Sequence, residues 1–159
     1  MVGTCSILVN TGCCCLFTSI GFIGGPSARS RAQTASLLAE DHKELLLEVT
    51  GLLTGDFEVV GVVHDGLSLL EHAAKLKPDV VVTDYKMPEM DGIEAGRRLL
   101  LEGHCKAVVL LTLYDDPYIV RAAMEAGIRA YVLKRDAVEK LVSAIHAALK
   151  GQAGNPIVD

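Results

Sequence analysis

The sequence predicts an α/β domain: a parallel β-sheet with helices on both faces. Three observations lead there. Short apolar runs alternate with segments of helical period through most of the chain. One run, Val80–Thr83, has four consecutive β-branched residues and no charge, as in a strand buried on both faces inside a parallel sheet. Polar and charged residues then stand at the ends of the runs, where an open α/β sheet binds its ligands.

Taken in order, the first strand is Ala35–Ala39, followed by Glu40-Asp41-His42. A helix follows, with Leu45, Leu46, Val49, Leu52 and Leu53 at helical spacing. Gly55-Asp56 turns the chain into a second strand, Phe57–Val63. Leu67, Leu70, Ala73, Ala74 and Leu76 line the next helix, which Pro78 ends. The third strand runs into Asp84, then into a loop with Pro88 and the turn signal Asp91-Gly92. Ile93, Leu99 and Leu100 face inward on the third helix, and Ala107–Thr112 is the fourth strand. Asp116-Pro117 reads as an N-cap and first-turn proline, ahead of Ile119, Val120, Ala123 and Met124, with Gly127 as the stop. Ala130–Leu133 is the fifth strand, and Val138, Leu141, Val142, Ile145 and Leu149 form the stripe of the last helix. Right-handed crossovers place such helices on both faces. The alternation predicts the class but leaves the strand order open.

Charge is unevenly distributed. All 20 acidic and 13 of the 15 basic side chains lie beyond Ser36, so this region is acidic. That argues against direct nucleic-acid binding, which needs a basic surface. Of the five cysteines, Cys5, Cys13, Cys14 and Cys15 crowd the N-terminus and only Cys105 lies in the α/β region. The pattern gives no disulfide framework and suits a reducing, cytoplasmic compartment. The chain divides into an N-terminal extension over 1–34, a domain over 35–151 and a tail over 152–159. The extension has no charge before Arg29 and reads as disordered or, through residues 5–25, as membrane-associated. Gly24–Ser36 has linker composition.

Strand ends carry the chemistry. Glu40 and Asp41 follow the first strand, Asp84 ends the third, Thr112 the fourth, and Lys134 follows the fifth. In a parallel sheet these ends share one edge. Three carboxylates together cannot all stay ionised cheaply without a cation. Mg²⁺ takes oxygen ligands, typically one or two carboxylates plus a phosphate. Lys134 can neutralise a further anionic group and Thr112 can donate a hydrogen bond to it. The chemistry that fits is phosphoryl transfer to a carboxylate. His42 reads as a helix-start residue rather than a ligand, and His64, His72, His104 and His146 as structural or exposed.

From Ala35 to Gly151 the sequence resembles the receiver domain of two-component response regulators. The resemblance rests on Leu37-Leu-Ala-Glu-Asp-His42, Asp84-Tyr-Lys-Met-Pro-Glu-Met-Asp-Gly92, Leu111-Thr112 and Tyr131-Val-Leu-Lys134. The Glu-Asp-His start is most similar to receivers of the NarL/LuxR type. The resemblance implies a doubly wound five-stranded sheet of order 2-1-3-4-5. It implies that Asp84 accepts a phosphoryl group from a histidine kinase or phosphotransfer protein. Asp41, with Glu40, Asp84 and the Lys86 main-chain carbonyl, would hold Mg²⁺. Lys134 and Thr112 would contact the phosphoryl group and Tyr131 would repack. These changes would switch the surface made by the fourth helix, fifth strand and fifth helix. A homodimer could form as well. The side chains of Lys86 and Tyr114 would tune the phosphate's lifetime. Such a domain is a signalling module, catalysing only its own phosphorylation and dephosphorylation.

Two residues depart from the family. Arg135 stands where proline is common, often after a cis bond, so the geometry of this loop is open. Leu113 stands where a small residue is common and would restrict access. The chain ends at Asp159 with no helix-turn-helix after the last predicted helix, as in a stand-alone receiver or part of a longer regulator. Two alternatives compete. One is a receiver-like binding module that works without phosphorylation. The other is an aspartyl-nucleophile hydrolase, disfavoured because Lys86 occupies the position where such enzymes carry a second aspartate. A flavodoxin-like cofactor binder is disfavoured because Glu40 and Asp41 would repel its phosphate.

Overall fold

The computed structural model describes residues 33–151. The expectations for the N-terminal extension, its membrane association and the tail over 152–159 lie outside the described residues, except that Thr34 joins the first strand. The elements are β1 (Thr34–Ala39), α1 (Lys43–Leu53), β2 (Phe57–Val63), α2 (Gly66–Leu76), β3 (Val80–Asp84), α3 (Gly92–Leu101), β4 (Ala107–Thr112), α4 (Pro117–Glu125), β5 (Ala130–Leu133) and α5 (Ala137–Leu149). A single 3₁₀ turn, Lys134–Asp136, joins β5 to α5. All strands are parallel, in the order β2-β1-β3-β4-β5.

Successive strand residues point to opposite faces, so the sheet feeds two cores. Leu37, Val81, Val108 and Leu110 pack with Leu69, Ala73, Ala95, Leu99, Val120 and Ala123, the buried faces of α2, α3 and α4. Leu38, Val80, Val82, Val109 and Leu111 pack with Val49, Leu53, Leu141 and Ile145 of α1 and α5. Each fully buried Leu, Ile or Val contributes about 1.5–3 kcal/mol.

Three helices start on aspartate caps. Asp65 accepts from the Ser68 amide at 2.7 Å, Asp91 from Glu94 at 2.8 Å and Asp116 from Tyr118 at 2.8 Å. The buried faces of the helices differ in part from the expected stripes. In α2 the buried residues are Gly66, Leu69 and Ala73, while Leu67 is exposed. Met124 and Val138 are exposed too, because Ala123 and Ala137 take the inward positions one residue earlier. Gly127 stops α4 as expected, with φ +87°.

Gly51 lies inside α1, and a β-carbon there would meet nothing within 4 Å. Gly51→Ala should therefore stabilise the domain by about 0.5–1 kcal/mol, because alanine restricts the unfolded chain and the native helix accepts it without strain. Chemical unfolding followed by far-UV circular dichroism measures this; a loss of stability would contradict the packing described. No helix among the described residues is long and apolar enough to cross a membrane. Cys105 is a half-buried free thiol whose pKa burial pushes up to about 12, so it is a weak nucleophile.

Candidate functional site

The parallel order brings the C-terminal ends of β1, β3, β4 and β5 to one edge. Each predicted residue sits there because its strand stops there. Asp84 is the last residue of β3, and Thr112 the last of β4. Glu40 directly follows β1, and Lys134 opens the turn after β5.

The centre is a buried ionic cluster. The Lys134 ammonium donates to Asp84 Oδ2 at 2.8 Å and to Glu40 Oε1 at 3.0 Å. The side chains of Lys134, Glu40 and Asp84 are only 6%, 5% and 7% exposed. Burial works against the Lys134 charge, but the hydrogen bonds it donates to Asp84 and Glu40, with their charges, outweigh it and raise the lysine pKa. The ammonium's contribution to stability is thus present below the ordinary lysine pKa and is lost only as pH rises through the raised one. Asp41 is more exposed. Burial alone would raise its pKa, yet the neighbouring Glu40 and His42 bring it below the ordinary carboxylate value.

The oxygens fit a hard divalent cation. Glu40 Oε2 is buried and lies 2.9 Å from the Lys134 ammonium, but has no hydrogen bond of good geometry. Glu40, Asp41 and Asp84 each offer an oxygen, and with a nitrogen of His42 all four atoms lie within 4.8 Å of one another. One ammonium shared between two carboxylates, with Asp41 beside them, leaves the excess negative charge that such an ion neutralises.

A cleft of about 510 Å³ opens over the cluster, lined by Asp41, His42, Asp84, Lys134 and the β3–α3 and β4–α4 loops. Lys86, exposed, and Leu113 and Tyr114 form part of its wall. Leu113 is 69% exposed and lines the cleft. Tyr85 and Tyr114 meet edge to face, centroids 6.0 Å apart.

Thr112 and Tyr131 are coupled through one backbone unit. The Tyr114 amide donates to Thr112 Oγ1 at 3.1 Å, and the Tyr131 hydroxyl donates to the Tyr114 carbonyl. Tyr131 is buried against the α4 side of the core. This link was not legible in the sequence, because it runs through main-chain groups.

The loop around Arg135 is resolved by the structure. The Lys134–Arg135 peptide is trans, as are all peptides among the described residues. Arg135 pairs with Asp115 of the β4–α4 loop at 3.1 Å, and both side chains are exposed.

Gly92 explains the turn signal after Asp91. Its amide donates to the Tyr85 carbonyl at 2.8 Å. A β-carbon there would overlap the Asp84 carbonyl oxygen, so α3 begins against the backbone of the strand that carries Asp84.

Against this geometry the comparisons with known proteins are decisive. Residues 37–146 match the family model of the response regulator receiver domain. The chain belongs to that family. It is 35% identical over 118 residues to the transcriptional regulatory protein LiaR of Bacillus subtilis, covering 73% of this chain and 56% of that protein. It is 37% identical over 119 residues to the response regulator GacA of Pseudomonas aeruginosa, covering 73% and 55%. The chain therefore spans about half the length of these curated relatives. Among solved structures, the receiver domain of a NarL regulator from Mycobacterium tuberculosis superposes with a TM-score of 0.71 at 29% identity, over 76% of this chain and 98% of that one. The isolated receiver of RcsB from Salmonella enterica, solved with the phosphomimetic BeF₃⁻, superposes with a TM-score of 0.71 at 27% identity, over 79% and 94%. The receiver fold and its NarL/LuxR kinship are thus those the sequence motifs implied.

Proposed function

We propose that this receiver accepts a phosphoryl group on Asp84 in an Mg²⁺-dependent reaction and uses the modified state as a signal. The observation that supports this most is the Asp84 carboxylate, held 2.8 Å from the Lys134 ammonium beside Glu40 and Asp41 at the open cleft. The donor is a histidine kinase or phosphotransfer protein. An Asp84 oxygen attacks phosphorus in line with the leaving imidazole nitrogen. The P–N bond breaks as the P–O bond forms, and the imidazole takes a proton from solvent. Lys134 pairs with a phosphoryl oxygen as negative charge moves onto the group. Glu40, Asp41, Asp84 and the Lys86 carbonyl would hold Mg²⁺, which supplies positive charge to the phosphoryl oxygens when bound.

The response follows from the Tyr114 link. Thr112 now accepts from the Tyr114 amide. When the Thr112 hydroxyl turns to a phosphoryl oxygen, that amide loses its partner. The β4–α4 loop shifts, and the Tyr131 hydroxyl follows the Tyr114 carbonyl. New contacts thereby bias the α4-β5-α5 surface, where an output partner or a second receiver docks. Lys86 and Tyr114, on the cleft wall, set how easily water reaches the acyl phosphate. In this reading the domain turns over no external substrate beyond its own phosphorylation cycle. It works in the cytoplasm and does not itself touch nucleic acid.

Acetyl phosphate, a small phosphodonor, tests the reading without a kinase. Intact-protein mass should show one phosphoryl adduct that requires Mg²⁺ and is absent in Asp84→Asn. A folded protein that gains no adduct would instead favour a binding module that works without phosphorylation.

A further inference from the structure

We propose that His42 is a nitrogen ligand of the same cation site, so that the site favours a divalent ion with affinity for imidazole, Mn²⁺, more than its carboxylates alone would. The proposal rests on the reading of Glu40, Asp41 and Asp84 as a cation site. It adds a residue that the motif of acids does not include.

The geometry is specific. His42 Nδ1 lies 2.6 Å from Asp41 Oδ1 and 3.2 Å from Glu40 Oε1. A His42 nitrogen and one oxygen from each of Glu40, Asp41 and Asp84 lie within 4.8 Å of one another. Opposite ligands of one octahedral ion are about 4.2 Å apart, so closing this set needs about half an ångström of movement. The movement is available, because the His42 side chain is 64% exposed and can turn. Its ring pairs with the same two carboxylates, so an ion bound there would replace the proton that Nδ1 now shares with them. His42 occupies the N-cap of α1, but its side chain makes no capping hydrogen bond. Its ring lines the same cleft as Asp84 and Lys134.

The consequence lies in metal preference. Carboxylates and carbonyls suit Mg²⁺ and Mn²⁺ alike, whereas imidazole raises affinity along the transition series and adds little for Mg²⁺. A site of oxygens with one imidazole therefore gains more for Mn²⁺ than for Mg²⁺. Mn²⁺ is also the right probe for this chain, since thiolates such as those of Cys13, Cys14 and Cys15 select softer ions.

The test uses the full chain and Mn²⁺ alone. Electron spin-echo modulation of the bound ion detects a directly coordinated imidazole nitrogen. Binding titrations give the Mn²⁺ and Mg²⁺ dissociation constants for the wild type and for His42→Gln, which should fold because the residue is exposed and caps nothing. The expected results are nitrogen modulation in the wild type, its loss in His42→Gln, and a fall of about tenfold in the Mn²⁺-over-Mg²⁺ preference. Binding without nitrogen modulation, or with the preference unchanged in His42→Gln, overturns the role of His42 and leaves the acidic site standing. Modulation that survives in His42→Gln comes from another histidine and overturns it too. Mn²⁺ that does not bind, or binds equally well to Asp84→Asn, overturns the inference and the cation site together.

Discussion

Lys134→Met is expected to destabilise the domain by about 3–5 kcal/mol at neutral pH in the absence of divalent cations. The side chain removed is 6% exposed, and its ammonium is shared by Asp84 and Glu40, which are equally buried. Methionine fills a similar volume, so lost packing is a small part of the effect. The large part is two carboxylates left without their cation beside a third, Asp41. Breaking a buried pair from one side costs far more than an exposed pair contributes, because the surviving charge has neither water nor a partner. Two further outcomes follow. Mg²⁺ should restore more stability to the variant than it adds to the wild type. Adding Asp84→Asn to Lys134→Met should cost much less than the two single changes together, since one of the stranded charges is gone. Urea unfolding followed by circular dichroism, with and without Mg²⁺, measures all of these. A loss under about 1 kcal/mol would mean that the cluster is solvated like an exposed pair.

The second large effect is expected at a residue with no side chain. Gly92→Ala should cost about 3 kcal/mol and slow phosphoryl transfer to Asp84 severely. A β-carbon at this position overlaps the Asp84 carbonyl oxygen, and that neighbour is backbone, at the end of the central strand and paired there with β4. Overpacking against atoms that cannot turn aside moves the backbone instead, at about 1–3 kcal/mol or more. Relief requires moving either the start of α3 or the end of β3. The second displaces Asp84 from Lys134, and a small misplacement of a reacting group costs orders of magnitude in rate. Gly51→Ala makes the natural comparison: the same substitution in open space should stabilise. Matching equilibrium unfolding with adduct formation for both variants separates the general effect of alanine from the local one. Equal and small effects at the two positions would contradict the close approach of α3 to β3.

Much of this was legible in the sequence, for identifiable reasons. Val80–Thr83 has few ways to be buried other than as a central strand, and β2, β4 and β5 follow the bounds that their apolar runs suggest. Strand ends are legible because burial stops where charge starts, which put Glu40, Asp84, Thr112 and Lys134 on one edge. Strand order was not written in the alternation; it came with the family motifs. Helix faces were read less well. Leu67, Met124 and Val138 looked like core residues by type, but small neighbours, Gly66, Ala123 and Ala137, take the inward positions one residue earlier. At the site, His42 looked like a residue that merely starts a helix. Only the fold shows its ring against Asp41 and Glu40. The bond from Tyr131 to the Tyr114 carbonyl, and from the Tyr114 amide to Thr112, had no sequence signal, because any residue but proline at 114 would supply the same backbone groups. Gly92 had a signal, but as a turn. Its tighter constraint comes from the strand beside it, which is distant in kind from anything a dipeptide reveals.

The central claim is that Asp84 itself carries the phosphoryl group. Borohydride reduces an aspartyl phosphate to homoserine and leaves a free carboxylate untouched. The most direct measurement is therefore peptide mapping after acetyl phosphate with Mg²⁺ and then borohydride. Homoserine should appear at position 84, with Glu40 and Asp41 unchanged and no conversion when Mg²⁺ is withheld. Conversion at Asp41 or elsewhere, or none in protein shown to be folded and metal-loaded, would contradict the account.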